Sequence, residues 1–190
     1  MGTFTLTKEG ISMIEDTQRL RVRNLVESDL ADYQRILAYP VMATANGATS
    51  STAPDLLAYW FEKDRHSPYA FAVVDRVEHH FIGAILYYPH QDQPATYDLG
   101  YFLEPNAWGH GYMAAAVSAS WTLIRREGGS LTNLYADCLP ENHQSQRVLA
   151  KLGFQPVAAT GDVASDHDPA DALWFKRTFA SANGEAAAHV

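Results

Sequence analysis

The sequence predicts a mixed α/β fold in which helices cover the faces of one central sheet. Segments with the two-residue alternation of a half-buried strand are interleaved with segments whose apolar residues recur at helical spacing. Their order, β-α-α-β-β-β-α-β-α-β-β, combines hairpins, which pair antiparallel, with strand-helix-strand units, which pair parallel. A length of 190 residues with 47% hydrophobic content suits one domain with a sizeable core.

The first half of the chain supplies a strand, two helices and three further strands. Apolar and polar residues alternate over Leu20–Leu25, which predicts the first strand. Ser28 and Asp29 offer an N-cap for a helix that we expect to stop before Pro40. The other elements predicted here are a helix over Pro54–Asp64 and strands over Tyr69–Val74, Phe81–Tyr88 and Thr96–Leu103.

The second half begins with a long helix that follows a two-glycine turn. Met113, Val117, Trp121 and Ile124 recur at spacings of four, four and three, which marks the buried face of this helix. The remaining predicted elements are a strand over Leu131–Cys138, a helix over His143–Leu152, and strands over Phe154–Ala158 and Leu173–Phe179. We expect an N-terminal extension over 1–18, a single domain over 19–179, and a flexible tail over 180–190.

The composition limits the classes of function. The chain has 14 Lys and Arg against 22 Asp and Glu, which argues against nucleic-acid binding and suits a cationic substrate. Its one cysteine, Cys138, cannot form an intramolecular disulfide or a cysteine zinc site, and it is expected to be a core residue. No apolar run reaches the roughly 18 to 20 residues that span a bilayer. We therefore expect a cytoplasmic protein that binds neither nucleic acid nor a membrane.

The two-glycine turn is the first candidate site. Gly109 and Gly111 lie between a strand that ends near Leu103 and a helix that begins near Tyr112. Several backbone N–H groups are left unpaired there and can point at one anion, such as a pyrophosphate, although such a turn can also be a plain tight connection. The chain contains no Gly-Lys pair, which excludes a Walker loop, and Ala114 stands where a dinucleotide fingerprint has its third glycine.

Two segments then carry a family resemblance. Leu99–Tyr112, LGYFLEPNAWGHGY, resembles the acetyl-CoA motif of the Gcn5-related N-acetyltransferase (GNAT) superfamily, particularly its RimJ/RimL-like branch. Pro105 and Gly111 match that motif, while Trp108 stands where Gln or Arg is usual and Met113 replaces the last Gly or Ala. Glu141–Phe154 is similar to a second family segment, N-x-x-S followed at a distance by G-F. Together the two motifs and the order of elements cover residues 20–179.

The resemblance implies a fold, a cosubstrate and a reaction. The fold would be a GNAT-like central mixed sheet, mostly antiparallel and flanked by helices, which makes 19–179 an N-acetyltransferase domain. The enzyme would move the acetyl group of acetyl-CoA directly to a primary amine, without a metal; the acceptor would be a protein N-terminus, a ribosomal one included, or a small amine. A homodimer is compatible with this assignment. The alternative is a non-catalytic acyl-CoA-binding or sensor domain.

The resemblance also implies site residues. Those implied to bind the cosubstrate are Phe102, Leu103, Gly109, His110, Gly111, Tyr112, Met113, Ala114, Asn142 and Ser145. A main-chain N–H near Phe102 would polarise the thioester carbonyl, and Ser145 would protonate the leaving thiolate. Asn142 equally suits a helix N-cap, with Ser145 in the first turn.

The general base is open on sequence grounds. Glu104 is the candidate catalytic carboxylate, although it equally suits a solvated charge at the end of a strand. Asp98, Glu141 and His143 are also expected to lie near the cleft. The acceptor would be read by the regions over Asn46–Asp64 and Asp162–Asp171. The acidic run in the second region is a solvated loop or, alternatively, a rim that attracts cationic amines; its members are Asp162, Asp166, Asp168 and Asp171.

Overall fold

The computed structural model describes residues 5–7, 10–12, 14–45, 53–90, 93–158 and 171–180. The strands in this part of the chain are β1 (Thr5–Thr7), β2 (Gly10–Ser12), β3 (Ile14–Asp16), β4 (Leu20–Asn24), β5 (Ala70–Asp75), β6 (Phe81–Pro89), β7 (Thr96–Leu103), β8 (Asn133–Cys138), β9 (Gln155–Val157) and β10 (Leu173–Thr178). The helices are α1 (Leu30–Leu37), α2 (Pro40–Ala45), α3 (Pro54–Arg65), α4 (Tyr112–Arg126) and α5 (His143–Lys151).

One sheet organises the fold. Its strand order is β3-β4-β5-β6-β7-β8-β10-β9, while β1 and β2 form a separate antiparallel pair. Every neighbouring pair in the large sheet is antiparallel except β7 and β8, which are parallel because α4 carries the chain from one to the other. The predicted mixed, mostly antiparallel sheet is confirmed.

Helices pack on both faces of this sheet. Successive strand residues point to opposite faces, so Leu103 joins a core that includes Met113 and Val117 of α4, while Phe102 joins a core that includes Tyr33 of α1 and Phe61 of α3. The sheet therefore separates an α4–α5 layer from an α1–α3 layer. Among the described residues, no helix is long and apolar enough to cross a membrane.

Two local features differ from expectation. Pro40 does end α1, but it also begins the short helix α2, since proline fits a first helical turn, where its missing N–H costs nothing. Strand β3 lies within the expected N-terminal extension and pairs with β4, from Ile14 opposite Arg23 to Asp16 opposite Arg21. The loop expected at Asn46, most of the acidic run and the tail after residue 180 lie outside the described residues.

Candidate active site

The parallel strands β7 and β8 separate part of the way along their length. They pair from Thr96 opposite Asn133 to Asp98 opposite Tyr135, and the pairing then stops. Strand β7 continues to Leu103 with β6 still bonded to its other edge. The space between residues 99–103 of β7 and residues 136–138 of β8 is called the strand gap below. It leaves one edge of β7 open in the middle of the sheet.

The register of β6 on β7 decides which backbone groups face the strand gap. The Glu104 N–H donates to the Ile82 carbonyl (2.7 Å), and in an antiparallel pair only alternate residues turn their N–H and C=O groups to the partner. The backbone groups of Phe102 therefore face β6, and those of Tyr101 and Leu103 face the gap. The main-chain contact that we expected near Phe102 is therefore available from Tyr101 and Leu103 instead.

Trp108 ties the glycine turn to the end of β7. Its indole Nε1 donates to the Leu103 carbonyl (2.7 Å), and a short 3-10 turn over Pro105–Ala107 fills the connection between them. The indole thus holds the backbone of the turn at the mouth of the strand gap. A tryptophan at the position where the family usually has Gln or Arg has a structural role here.

The turn presents unpaired N–H groups at the start of α4. Gly109 and Gly111 have φ of 79° and 75°, a left-handed conformation that favours glycine at both positions. Gly111 is the N-cap residue of α4, and no side chain caps the helix. The N–H groups of Tyr112, Met113 and Ala114 therefore lack intrahelical acceptors, and the positive end of the helix dipole adds to their attraction for an anion.

Met113 does not disturb this turn. Its side chain is 4% exposed and packs in the core between α4 and the sheet. The departure from the usual Gly or Ala therefore leaves the outer surface of the turn unchanged, and the Met113 N–H stays in place. We infer that Met113 does not block an anion at the turn.

Two cationic side chains of α5 lie close to the turn or in the same cleft, and neither was predicted as a site residue. A Cβ placed on Gly111 would lie 3.1 Å from Lys151 Nζ, so this ammonium group sits beside the turn. Arg147 lines the same cleft, one helical turn earlier on α5. Their spacing of four residues, downstream of Ser145, was the available signal.

Asn142 and Ser145 occupy the first turn of α5. The Asn142 Oδ1 accepts a hydrogen bond from the Ser145 N–H (3.0 Å), which confirms the N-cap role. The Ser145 Oγ is 2.7 Å from the Tyr101 hydroxyl oxygen, which reaches it from β7. Burial raises the pKa of Tyr101 and of the neighbouring Cys138 thiol, so both groups hold their protons. Tyr101 was not predicted as a site residue.

A cleft of about 1030 Å³ passes through the sheet at the strand gap. Its lining includes all the residues implied to bind the cosubstrate, which are Phe102, Leu103, Gly109, His110, Gly111, Tyr112, Met113, Ala114, Asn142 and Ser145. All of these except Phe102, whose side chain lies in the α1–α3 layer, belong to the part of the cleft called the α4 arm. Its α3 arm opens on the other face of the sheet, with walls that include Tyr33, Leu37, Leu57, Trp60, Asp64 and Tyr88. One continuous space therefore joins the glycine turn to a largely apolar chamber.

The proposed general bases lie elsewhere. The Glu104 carboxylate accepts a hydrogen bond from Arg35 Nη1 (3.1 Å) and lies 3.8 Å from His80 Nε2, and it does not line the cleft. Asp98 contacts His90 Nδ1 (2.6 Å) at the start of β7. Glu141 and His143 are exposed and likewise outside the cleft lining. This geometry argues against direct proton transfer to Glu104.

The described residues contain no group of three or more His, Cys, Asp or Glu side chains placed to hold a metal ion. Of the acidic run, only Asp171 falls in the described part of the chain, where it is exposed.

Comparison with known proteins identifies the family of this chain. The family model of the acetyltransferase (GNAT) domain matches residues 19–155, which is most of the chain. The chain belongs to the GNAT acetyltransferases, and it is an acetyl-CoA-dependent acyltransferase. It is 28% identical over 142 residues to the uncharacterized N-acetyltransferase YnaD of Bacillus subtilis (strain 168), covering 73% of this chain and 81% of that protein.

Two solved structures share the fold. The first is the apo form of RimL, a ribosomal L7/L12 α-N-protein acetyltransferase, with a TM-score of 0.71, 15% identity, and coverage of 93% of this chain and 100% of the other. The second is the ribosomal-protein-S5-alanine acetyltransferase from Vibrio fischeri, with a TM-score of 0.66, 22% identity, and coverage of 87% and 96%. These likenesses show that the chain shares its fold with both proteins, and the RimJ/RimL-like branch stays a prediction.

Proposed function

We propose that this enzyme transfers the acetyl group of acetyl-CoA directly to a primary amine, either a protein N-terminus or a small amine, while both substrates are bound. One observation gives the main support for this proposal. The cleft runs through the sheet with the glycine turn in one arm and a separate chamber in the other, so two substrates can approach the strand gap from opposite faces. Such an arrangement needs no covalent enzyme intermediate.

The α4 arm suits the phosphates of acetyl-CoA. Backbone N–H groups over Gly109–Ala114 would bind the pyrophosphate, helped by the positive end of α4. The Lys151 ammonium beside Gly111 adds a positive charge at the same point. This combination of uncapped amides and one cation is a strong anion site, and it explains why no acidic residue occurs in the first turn of α4.

The strand gap suits the acyl-bearing arm of the cosubstrate. The N–H groups of Tyr101 and Leu103 point into it, and one of them would polarise the thioester carbonyl as charge develops on its oxygen. The Leu103 carbonyl is already used by the Trp108 indole. Tyr101 therefore offers both a donor and an acceptor to the amides of the pantetheine arm.

Ser145 is proposed to protonate the leaving thiolate. The neutral amine attacks the carbonyl carbon, the C–S bond breaks, the sulfur takes a proton from the Ser145 hydroxyl, and the amine nitrogen releases one proton to solvent water. The Tyr101 hydroxyl, 2.7 Å from the Ser145 Oγ, is placed to return a proton to the serine, and solvent water restores the proton of Tyr101. Asn142 holds the first turn of α5 and so fixes where Ser145 points.

The function is tested by measuring free thiol release from acetyl-CoA over a panel of primary amines, beside a thermal-shift titration with CoA. We expect thiol release with at least one alkylamine or peptide N-terminus, together with a rise in Tm on adding CoA, because a ligand that binds the folded state stabilises it. A rise in Tm without turnover on any amine would favour the sensor alternative. No change in Tm at saturating CoA would contradict the whole assignment.

A further inference from the structure

Asp64 is a buried carboxylate in the wall of the α3 arm. It lies near the C-terminal end of α3 and is 3% exposed. Its Oδ2 accepts a hydrogen bond from the Tyr33 hydroxyl (2.9 Å), and its Oδ1 accepts one from the Tyr88 hydroxyl (3.0 Å). Each carboxylate oxygen can accept a second hydrogen bond. The group therefore keeps acceptor capacity beyond its two tyrosine partners, and Asp64 is among the residues that line the cleft.

No cation is paired with Asp64 in the part of the chain that the structure describes. Its two partners are neutral hydroxyls, and Lys63, the next residue on α3, places its ammonium over the rings of Trp60 (5.1 Å) and Tyr59 (5.5 Å) instead. Burial raises the pKa of Asp64, although the hydrogen bonds from Tyr33 and Tyr88 and the positive charge of Lys63 lower it. A buried carboxylate without a cation in direct contact is costly. A cationic ligand in the α3 arm would supply that charge.

The two tyrosines that bind Asp64 both contact strand β7. A Cβ on Gly100 would be 3.6 Å from the Tyr88 ring, and Gly100 immediately precedes Tyr101 of the strand gap. The Tyr33 ring packs edge-on against Phe102, with 5.1 Å between centroids. The two tyrosines thus connect Asp64 to the strand that borders the gap.

The rest of the α3 arm is apolar and aromatic. Leu37 and Leu57 line it, and the Trp60 side chain stands half exposed near its opening. Apolar walls around one buried carboxylate select a ligand with one positive charge and an aliphatic or aromatic body.

We propose that Asp64, held by Tyr33 and Tyr88, is the recognition site for the acceptor, and that the acceptor class is an alkylammonium compound with an apolar body, which loses one proton to solvent water before its nitrogen attacks the thioester. This inference rests on the proposed function, because only that function makes the ligand of the α3 arm the acceptor of the acetyl group. The binding site itself can be tested without any turnover.

The binding test uses a dead-end complex. In the presence of CoA, which has no acetyl group to give, calorimetry compares n-pentylamine with the neutral 1-pentanol on the wild-type enzyme. We expect the amine to bind at least about ten-fold more tightly, because its ammonium group donates a charged hydrogen bond to the Asp64 carboxylate and the hydroxyl of the alcohol does not. Asp64→Asn should abolish this preference. Equal affinities of amine and alcohol for the wild-type enzyme would overturn the proposal.

The kinetic test separates recognition from a structural effect. Asp64→Asn should raise the KM for n-pentylamine about ten-fold or more while changing kcat less than about three-fold. The KM for an arylamine, which is neutral at neutral pH, should change little. Equal increases for both amines would indicate a merely structural role, and a fall in kcat at unchanged KM would also overturn the recognition role.

Glu62→Gln is the matched control. Glu62 lies on the same helix and undergoes the same charge change, but it pairs with Arg65 (2.7 Å) and does not line the cleft. It should leave both KM values unchanged. If Asp64→Asn does not fold, the comparison of amine with alcohol on the wild-type enzyme still decides the question. If amine binding discriminates but no amine is acetylated, the proposed function fails and the cation site stands.

Discussion

The Tyr101 hydroxyl lies 2.7 Å from the Ser145 Oγ, so a residue of strand β7 and a residue of helix α5 meet in the cleft. The two belong to different motifs and are 44 positions apart in sequence. Burial keeps the phenol protonated by raising the pKa of Tyr101. The pair can act as a short proton relay in which Ser145 gives a proton to the sulfur and Tyr101 gives a proton to the serine.

This relay predicts the effect of removing each hydroxyl. Ser145→Ala should lower kcat by about 100-fold, which is the lower range for a lost general acid, with little change in the Kd for CoA. Tyr101→Phe should lower kcat less, because the serine remains. Steady-state kinetics beside CoA titration measures both effects. Ser118→Ala, an exposed serine on α4, is the control. Unaltered turnover in Ser145→Ala would remove its acid role.

We expect the affinity for CoA to depend on the backbone conformation of Gly111. Its φ of 75° makes Gly111→Ala unfavourable by about 1–2 kcal/mol, and the added Cβ would displace the Lys151 ammonium. We expect lower stability and weaker CoA binding, measured by urea unfolding and calorimetry. Gly128→Ala has the same left-handed φ, of 79°, with open space around the new Cβ and no place in the cleft. It should lose similar stability while its CoA affinity stays unchanged; a similar loss of CoA affinity in both variants would contradict the assignment of the turn.

Lys151 should contribute to CoA affinity through its charge. Lys151→Met keeps much of the side chain's length and removes the ammonium beside the turn, so we expect the Kd for CoA to rise about five-fold, or about 1 kcal/mol. The effect should shrink at high salt, because salt screens an exposed charge. Lys176→Met, whose ammonium lies over the Tyr135 ring, should have no such effect. A salt-independent loss would point to packing as the cause.

Most of the fold follows from the sequence because strands and helices here carry strong local signals. The predicted strand over Thr96–Leu103 has the bounds of β7, and the helix predicted over Pro54–Asp64 ends one residue before α3 does. Each has a regular apolar pattern and a breaker at its end. Helix α2 and strand β3 were missed because each is too short to show a period.

The site was predicted less completely, because its geometry depends on pairing register and on contacts between distant segments. The motif located Leu103 and Phe102, but only the β6–β7 register decides that the backbone of Leu103, and not that of Phe102, faces the strand gap. Asp64 has no motif around it at all. Its role depends on Tyr33 and Tyr88, which are 31 and 24 positions away.

Glu104 should prove structural. Its carboxylate pairs with Arg35, which joins the end of β7 to α1, so Glu104→Gln should cost about 1 kcal/mol of stability while kcat stays within about three-fold of wild type. Arg35→Met should lose comparable stability, because it breaks the same pair. Urea unfolding and steady-state kinetics of the two variants check this. A fall in kcat of about 100-fold in Glu104→Gln alone would restore its role as general base.

Asp64 and Glu62 should give the folded state opposite pH dependences. Burial raises the pKa of Asp64 above its usual 3.8, so the folded state holds this proton more tightly than the unfolded chain, and stability falls as pH rises from 3.8 through the raised value. The pKa of Glu62 is lowered by its hydrogen bond from Arg65, so its contribution is present above the usual 4.5 and is lost as pH falls through the lowered value.

The free energy of unfolding, measured by urea titration at several pH values, distinguishes the contribution of Asp64 from that of Glu62. The stability of Asp64→Asn relative to wild type should increase as pH rises across the window above 3.8, because the variant has no buried charge to accommodate. Glu62→Gln should instead lose relative stability as pH rises through the window below 4.5. Adding n-pentylamine with CoA should reduce the advantage of Asp64→Asn, because the ligand supplies the missing positive charge to the wild-type carboxylate. An advantage that the amine leaves unchanged would mean that Asp64 does not contact the ligand.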